Sequence, residues 1–150
     1  MSETSGGESD SDAADPGAAD PYAAGLRVRR EVLGSEHVDR ALAGRTEFTE
    51  RFQDYITRAV WGTIWTRDGL DRRTRSCVTL AVLTALGRSG ELAMHVRAAL
   101  RNGLTADEIG EVLLHTAAYA GVPVANEAFA IAQRTLAELG EPTARPRTEG

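Results

Sequence analysis

The sequence contains one cysteine, Cys77, and none of its 17 basic residues is a lysine. A lone thiol excludes an intramolecular disulfide and any cysteine-based zinc cluster. An all-arginine set suits bidentate recognition of carboxylate or phosphate, although so complete a bias follows most simply from genome composition. No run of about 18 apolar residues occurs, so no membrane span is expected. The N-terminal stretch has neither a basic region nor an apolar core of the kind that marks a secretory signal. The expectation is a soluble, cytoplasmic protein. The formal charge of −5 excludes little until it is located. Six of the 22 acidic side chains fall in the first 20 residues, with no base among them, leaving 16 against 17 arginines in the rest. A nearly neutral body with an acidic tail argues against nucleic acid as a partner.

At 150 residues the chain is one domain's worth and long enough to bury a core. Residues 1–21 are Ser, Gly, Ala, Asp and Glu with almost nothing to bury, and read as a disordered acidic tail. Residues 141–150 contain two prolines and no apolar cluster, and read as a flexible tail. The folded body is therefore expected over 22–140.

Within that body every signal is helical. A first helix is predicted over 23–33, and Ser35 can cap a short second one ending near Gly44. Thr46 or Thr49 opens a longer segment in which Phe52, Ile56, Val60 and Trp61 fall on one stripe, expected to be buried. Asp71 can cap a helix running to Gly87 whose middle, Cys77 to Leu83, is apolar nearly all round, as in a central core helix. The next helix spans about 90 to 102. Thr105-Ala-Asp-Glu108 is a capping box, followed by a stripe of Ile109, Val112, Leu113, Thr116, Ala117 and Ala120. Gly121 ends that helix, and Pro123 suits the first turn of a last one running to about Leu139. Alternating strand-like stretches are missing, so the fold class is all-α. Trp61, Ile64 and Trp65 gather apolar bulk beside the turn Thr66-Arg-Asp-Gly, fit for core packing, a pocket wall or a subunit interface.

Chemistry enters with Glu91 and His95. Four residues apart on one helix, they lie on the same face within reach of each other. Such a pair can hold a proton near neutral pH, but the spacing serves an ordinary surface pair equally well. His115 stands one turn before Tyr119, beside the Ile109 stripe. His37 sits on a capped surface helix and is assigned no role. The three histidines lack the spacing of a HExxH motif, which argues against a metal site.

Three blocks carry a family resemblance: Asp71-Arg-Arg-Thr-Arg-Ser-Cys-Val-Thr-Leu-Ala, Glu91-Leu-Ala-Met-His95-Val-Arg-Ala-Ala-Leu-Arg-Asn-Gly, and Glu111-Val-Leu-Leu-His115-Thr-Ala-Ala-Tyr119-Ala-Gly-Val-Pro. In order and spacing they resemble the carboxymuconolactone decarboxylase family, over about residues 25 to 139. The resemblance implies an alkylhydroperoxidase-like helical domain of about six to seven helices that assembles as a homo-oligomer, a trimer or hexamer. Related peroxidases use a Cys-x-x-Cys-x-x-x-His motif. With His95 on that histidine, Glu91 and Arg88 replace the two cysteines, and the upstream glutamate is replaced at about Ser76. A dithiol mechanism needs an attacking and a resolving sulfur, so the departure favours the decarboxylase branch.

The family reaction takes 4-carboxymuconolactone to 3-oxoadipate enol-lactone plus CO2 in protocatechuate catabolism, and needs no cofactor because the lactone carbonyl accepts the electrons. The resemblance implies a small lactone diacid as substrate and His95 as proton donor, with Glu91 orienting it and raising its pKa. His115 is the second candidate for the acid, and either histidine or Tyr119 could instead hold the dienolate oxygen. Arg73, Arg75 and Arg88 are the arginines expected to bind the substrate carboxylates. A peroxidase-like antioxidant partner, a relative acting on another lactone, and a non-catalytic assembly module are the competing readings.

Overall fold

A computed structural model describes residues 20–143. Residues 1–19 and 144–150, and with them most of the two expected tails, lie outside the described residues. The described chain forms seven α-helices and one π segment, without a strand.

Helix α1 (Pro21–Leu33) starts two residues before the predicted position, because the Asp20 carboxylate accepts the Tyr22 N–H at 3.1 Å and Pro21 occupies the first turn. Helix α2 (Ser35–Ala43) takes Ser35 as its first residue, while the cap falls to Gly34, whose φ of 89° suits glycine. Helix α3 (Glu47–Tyr55) opens on a capping box between Thr46 and Thr49 and runs without a break into a π segment, Ile56–Ile64. Helix α4 (Arg72–Ala85) is capped by Asp71, which accepts the Thr74 N–H at 2.7 Å. Helix α5 (Ser89–Arg101) ends at Asn102. Helix α6 (Ala106–Ala120) has the predicted capping box: Thr105 accepts the Glu108 N–H at 3.1 Å and Glu108 accepts the Thr105 N–H at 2.8 Å. Helix α7 (Val122–Glu138) has its proline in the first turn, as expected.

The helices enclose two apolar clusters. Leu80, Leu92, Val96, Ile109, Leu113, Ile131 and Leu136 join α4, α5, α6 and α7. Val28, Val32, Leu33, Val38, Trp61, Trp65 and Ala98 join α1, α2, the π segment and the other side of α5. Helix α5 is the wall shared by both, and it carries His95.

Helix α1 meets the π segment backbone against backbone. A Cβ on Gly25 would lie 2.0 Å from the Thr57 carbonyl oxygen, and one on Gly62 would lie 2.0 Å from that of Pro21. Only glycine permits this approach, and it fixes α1 over Thr57.

Two expectations from periodicity are corrected. The stripe through Phe52, Ile56, Val60 and Trp61 is not buried as a unit: Phe52 and Val60 are exposed while Trp61 is buried. The inward row is instead Gln53, Thr57, Trp61 and Trp65, spaced by four. On an α-helix such a row drifts by about 40° per step. A π winding of roughly 4.4 residues per turn reverses the drift, so the change of winding at Ile56 returns the row to α1. Trp61 and Trp65 stack there with ring centroids 5.1 Å apart. Helix α4, expected to be apolar nearly all round as a central core helix, buries only Ser76, Leu80 and Thr84, and leaves Val78, Val82 and the following Leu86 exposed. Among the described residues, the neighbouring helices cover only one of its apolar faces.

Candidate active site

His95 lies in the second turn of α5, beside buried Val96 and one turn before buried Ala98 and Ala99. Its ring is mostly buried, and Nδ1 has no hydrogen-bond partner. Burial pushes its pKa down to about 4, opposed by the Glu91 carboxylate and reinforced by His37. Glu91, in the first turn of α5, is exposed and forms no hydrogen bond with His95. The expected upward pull of Glu91 is therefore present, but desolvation outweighs it, and the ring is neutral at pH 7.

Two polar side chains to which the sequence reading gave no role, His37 and Arg29, are drawn into the interior. His37 is half-buried, and its pKa is lowered by burial and by the guanidinium groups of Arg29, Arg40 and Arg101. Arg101 reaches back to the end of α1, donating from Nη1 to the Leu33 carbonyl at 3.1 Å. Arg29 is 4% exposed. Its Nη1 donates to Gln53 Oε1 at 3.0 Å and Thr57 Oγ1 at 3.2 Å. The signal was available, because Arg29 stands one turn after Gly25 and one turn before Val32 and Leu33, on the buried face of α1. His37 left no comparable trace beyond its position next to buried Val38.

The other expected residues do not gather around His95 in the protomer. His115 is exposed on α6 and packs on Tyr119, ring centroids 5.2 Å apart, while Tyr119 is 83% exposed. Arg73 donates to the Gly103 carbonyl and pairs with Glu108 at 2.6 Å, which ties the start of α4 to the start of α6. Arg75 donates to the Arg67 carbonyl at 2.9 Å, and its Nε is buried without a partner. Arg88 is exposed at the turn into α5. Ser76 is buried at the crossing of α4 and α5 and accepts the Asn102 amide at 2.9 Å. Cys77 is half-buried against the first cluster, and burial raises its pKa, the opposite of an activated thiolate. A groove of about 610 Å³ between α6 and α7, lined by Ile109, Leu113, Leu114, Phe129 and Leu136, contains none of the expected residues.

Fold and site thus define an all-α protein with a mostly buried, neutral imidazole beside the Glu91 carboxylate and within electrostatic reach of His37. Comparison with known proteins narrows the class. The sequence profile of the Carboxymuconolactone decarboxylase family matches residues 50–134, and the chain belongs to this family. It is 50% identical over 119 residues to 4-carboxymuconolactone decarboxylase of Acinetobacter baylyi, covering 79% of this chain and 89% of that one. It is 44% identical over 115 residues to a nitrosuccinic acid decarboxylase of Metarhizium robertsii, covering 77% and 80%. Among the described residues no helix is long and apolar enough to cross a membrane.

Proposed function

We propose that this chain is a carboxy-lyase that converts 4-carboxymuconolactone to 3-oxoadipate enol-lactone plus CO2 in protocatechuate catabolism. The 50% identity to 4-carboxymuconolactone decarboxylase over most of both chains carries this reading. The leaving carboxylate of that lactone is vinylogous to its carbonyl. Cleavage of the C–C bond sends the electron pair through the ring double bond to the carbonyl oxygen, and a proton is then delivered to carbon. The sink belongs to the substrate, so the protein has to bind two carboxylates, stabilise the dienolate oxygen and supply one proton.

His95 serves as the proton donor. In the free protein it is neutral. A dianionic substrate beside it favours the charged imidazolium, so binding the substrate itself recruits the proton that the reaction consumes. Glu91 assists in the same direction. His115 is the alternative acid, and Tyr119 beside it can donate to the dienolate oxygen. Arg75 and Arg88 are available to the substrate carboxylates, whereas Arg73 would first have to leave Glu108. Tyr119, His115 and the outer face of α4 are exposed in the single chain, which supports a site completed in a homo-oligomer, a trimer or hexamer, acting in the cytoplasm.

The nitrosuccinic acid decarboxylase relative favours a second reading, a small nitro-substituted diacid as substrate. There too a substituent of the substrate takes up the electron pair. A dithiol peroxidase lacks its second sulfur.

The test is incubation of the purified protein with fresh 4-carboxymuconolactone, following CO2 and the enol-lactone, with His95→Ala alongside. Turnover that is lost in the variant is expected. Turnover unaffected by the substitution would move the acid to His115 or Tyr119, and a folded wild type inert on the lactone but active on nitrosuccinate would establish the second reading.

A further inference from the structure

We propose that Arg29 is the buried anchor for a carboxylate of the substrate, its guanidinium oriented by Gln53 and Thr57. The inference rests on the diacid reading of the substrate, and adds a residue that neither the motif blocks nor the periodicity assigned to the site.

The argument begins with charge. Among the described residues eight ion pairs occupy Arg27, Arg30, Arg40, Arg58, Arg72, Arg73 and Arg97, all of them at least a third exposed. Arg29 is in none of them. It is the most deeply buried of the charged side chains, and its two hydrogen bonds go to the neutral acceptors Gln53 and Thr57. Its Nε is buried without any partner. A guanidinium cannot escape by losing its proton, and an uncompensated buried charge costs several kcal/mol. A chain that needed only packing at this position would gain from an apolar residue.

The geometry then says what is missing. Gln53 and Thr57 fix one terminal nitrogen and so set the plane of the fork, leaving an N–H edge directed at no protein acceptor. A carboxylate fits such an edge with two parallel hydrogen bonds. Thr57 is itself held, donating to the Gln53 carbonyl at 2.8 Å, and its backbone is pressed against Gly25. The fork is thus oriented before any ligand arrives, which lowers the cost of binding. His37 lies within electrostatic reach of Arg29, and His95 within reach of His37.

The experiment uses the full-length protein and succinate, a dicarboxylate that cannot react, titrated at constant ionic strength and read by calorimetry, together with KM and kcat on the lactone. Wild type is expected to bind succinate. Arg29→Met should lose about ten- to a hundredfold in that affinity and raise KM by a similar factor, with Arg29→Lys falling between. Should Arg29→Met fail to fold, Gln53→Glu replaces the missing anion from within. It should fold at least as stably as wild type and still lose succinate. Unchanged succinate affinity and KM in folded Arg29→Met, or in Gln53→Glu, would overturn the proposal, as would a wild type that binds no dicarboxylate. Succinate binding that depends on Arg29, in a protein inert on the lactone, would retain the anchor and remove the decarboxylase reading instead.

Discussion

A side chain is assigned its chemistry by its surroundings, and His95 shows how far those can depart from spacing. The interval Glu91 to His95 made the pair visible, but spacing says nothing about desolvation, which dominates here. The direction has a thermodynamic consequence. The unfolded chain binds a proton near the ordinary pKa of 6.5, whereas the folded chain resists it down to about 4. Stability is therefore full above pH 6.5 and falls as the pH drops from 6.5 toward 4, by on the order of 3 kcal/mol for a shift of this size. Urea midpoints at pH 7 and pH 4.5 should show this loss in wild type and a smaller one in His95→Gln. The remaining slope belongs partly to His37, whose pKa is lowered for the same reason. Arg29 was legible in principle, because its register places it on the buried face of α1. It was passed over because arginine is ordinarily a surface residue, and only the packing reveals an unpaired cation.

At the level of elements the local signals read well wherever they are chemical. The caps at Asp71 and Thr105, the glycine at position 121 and the proline at 123 all act where the sequence puts them, since each depends on neighbours within a few residues. Thr105→Ala should cost about 1 kcal/mol in thermal or urea unfolding, by leaving the Glu108 amide without its acceptor. What the sequence did not disclose was the π winding, because a four-residue spacing drifts only modestly on either kind of helix. Nor did it disclose the crossing at Gly25 and Gly62, which depends on segments more than thirty residues apart. Gly25→Ala would place a methyl carbon 2.0 Å from a carbonyl oxygen. It should therefore lose at least the ~1–3 kcal/mol of an overpacked core, measurable as a lower urea midpoint. An alanine at Gly90, where nothing lies within 4 Å, should be tolerated.

At the scale of the whole molecule, the described residues leave many large apolar side chains exposed. Helix α3 buries no residue at all, and Phe48 on it is 94% exposed. Val78 and Val82 on α4, with Leu86 at its C-terminal cap, form a second bare stripe, and Leu114, Tyr119 and Val122 are exposed on α6 and α7. Singly such residues are ordinary; in stripes they mark contact surfaces. Val82→Glu should lower the assembly state in sedimentation velocity while leaving the far-ultraviolet helix signal intact. A protein that sediments as a monomer with or without the substitution would remove the oligomer from the account. The sequence conveyed the abundance of apolar helical faces, but the face each helix turns outward is set by its neighbours, which is why α4 was read as a central core helix.

The π segment has a consequence for motion. Its wide turns give up the tighter hydrogen bonding of an α-helix, and it carries Thr57, one of the two residues that hold Arg29. Although its packing on α1 is close, that winding is expected to make the segment easier to open locally than a regular α-helix. In native-state hydrogen exchange the amides of Ile56–Ile64 should exchange through local openings of lower free energy than those of α7. A dicarboxylate lodged against Arg29 should slow them selectively, which would tie the ease of opening of this one segment to the residence of the anion.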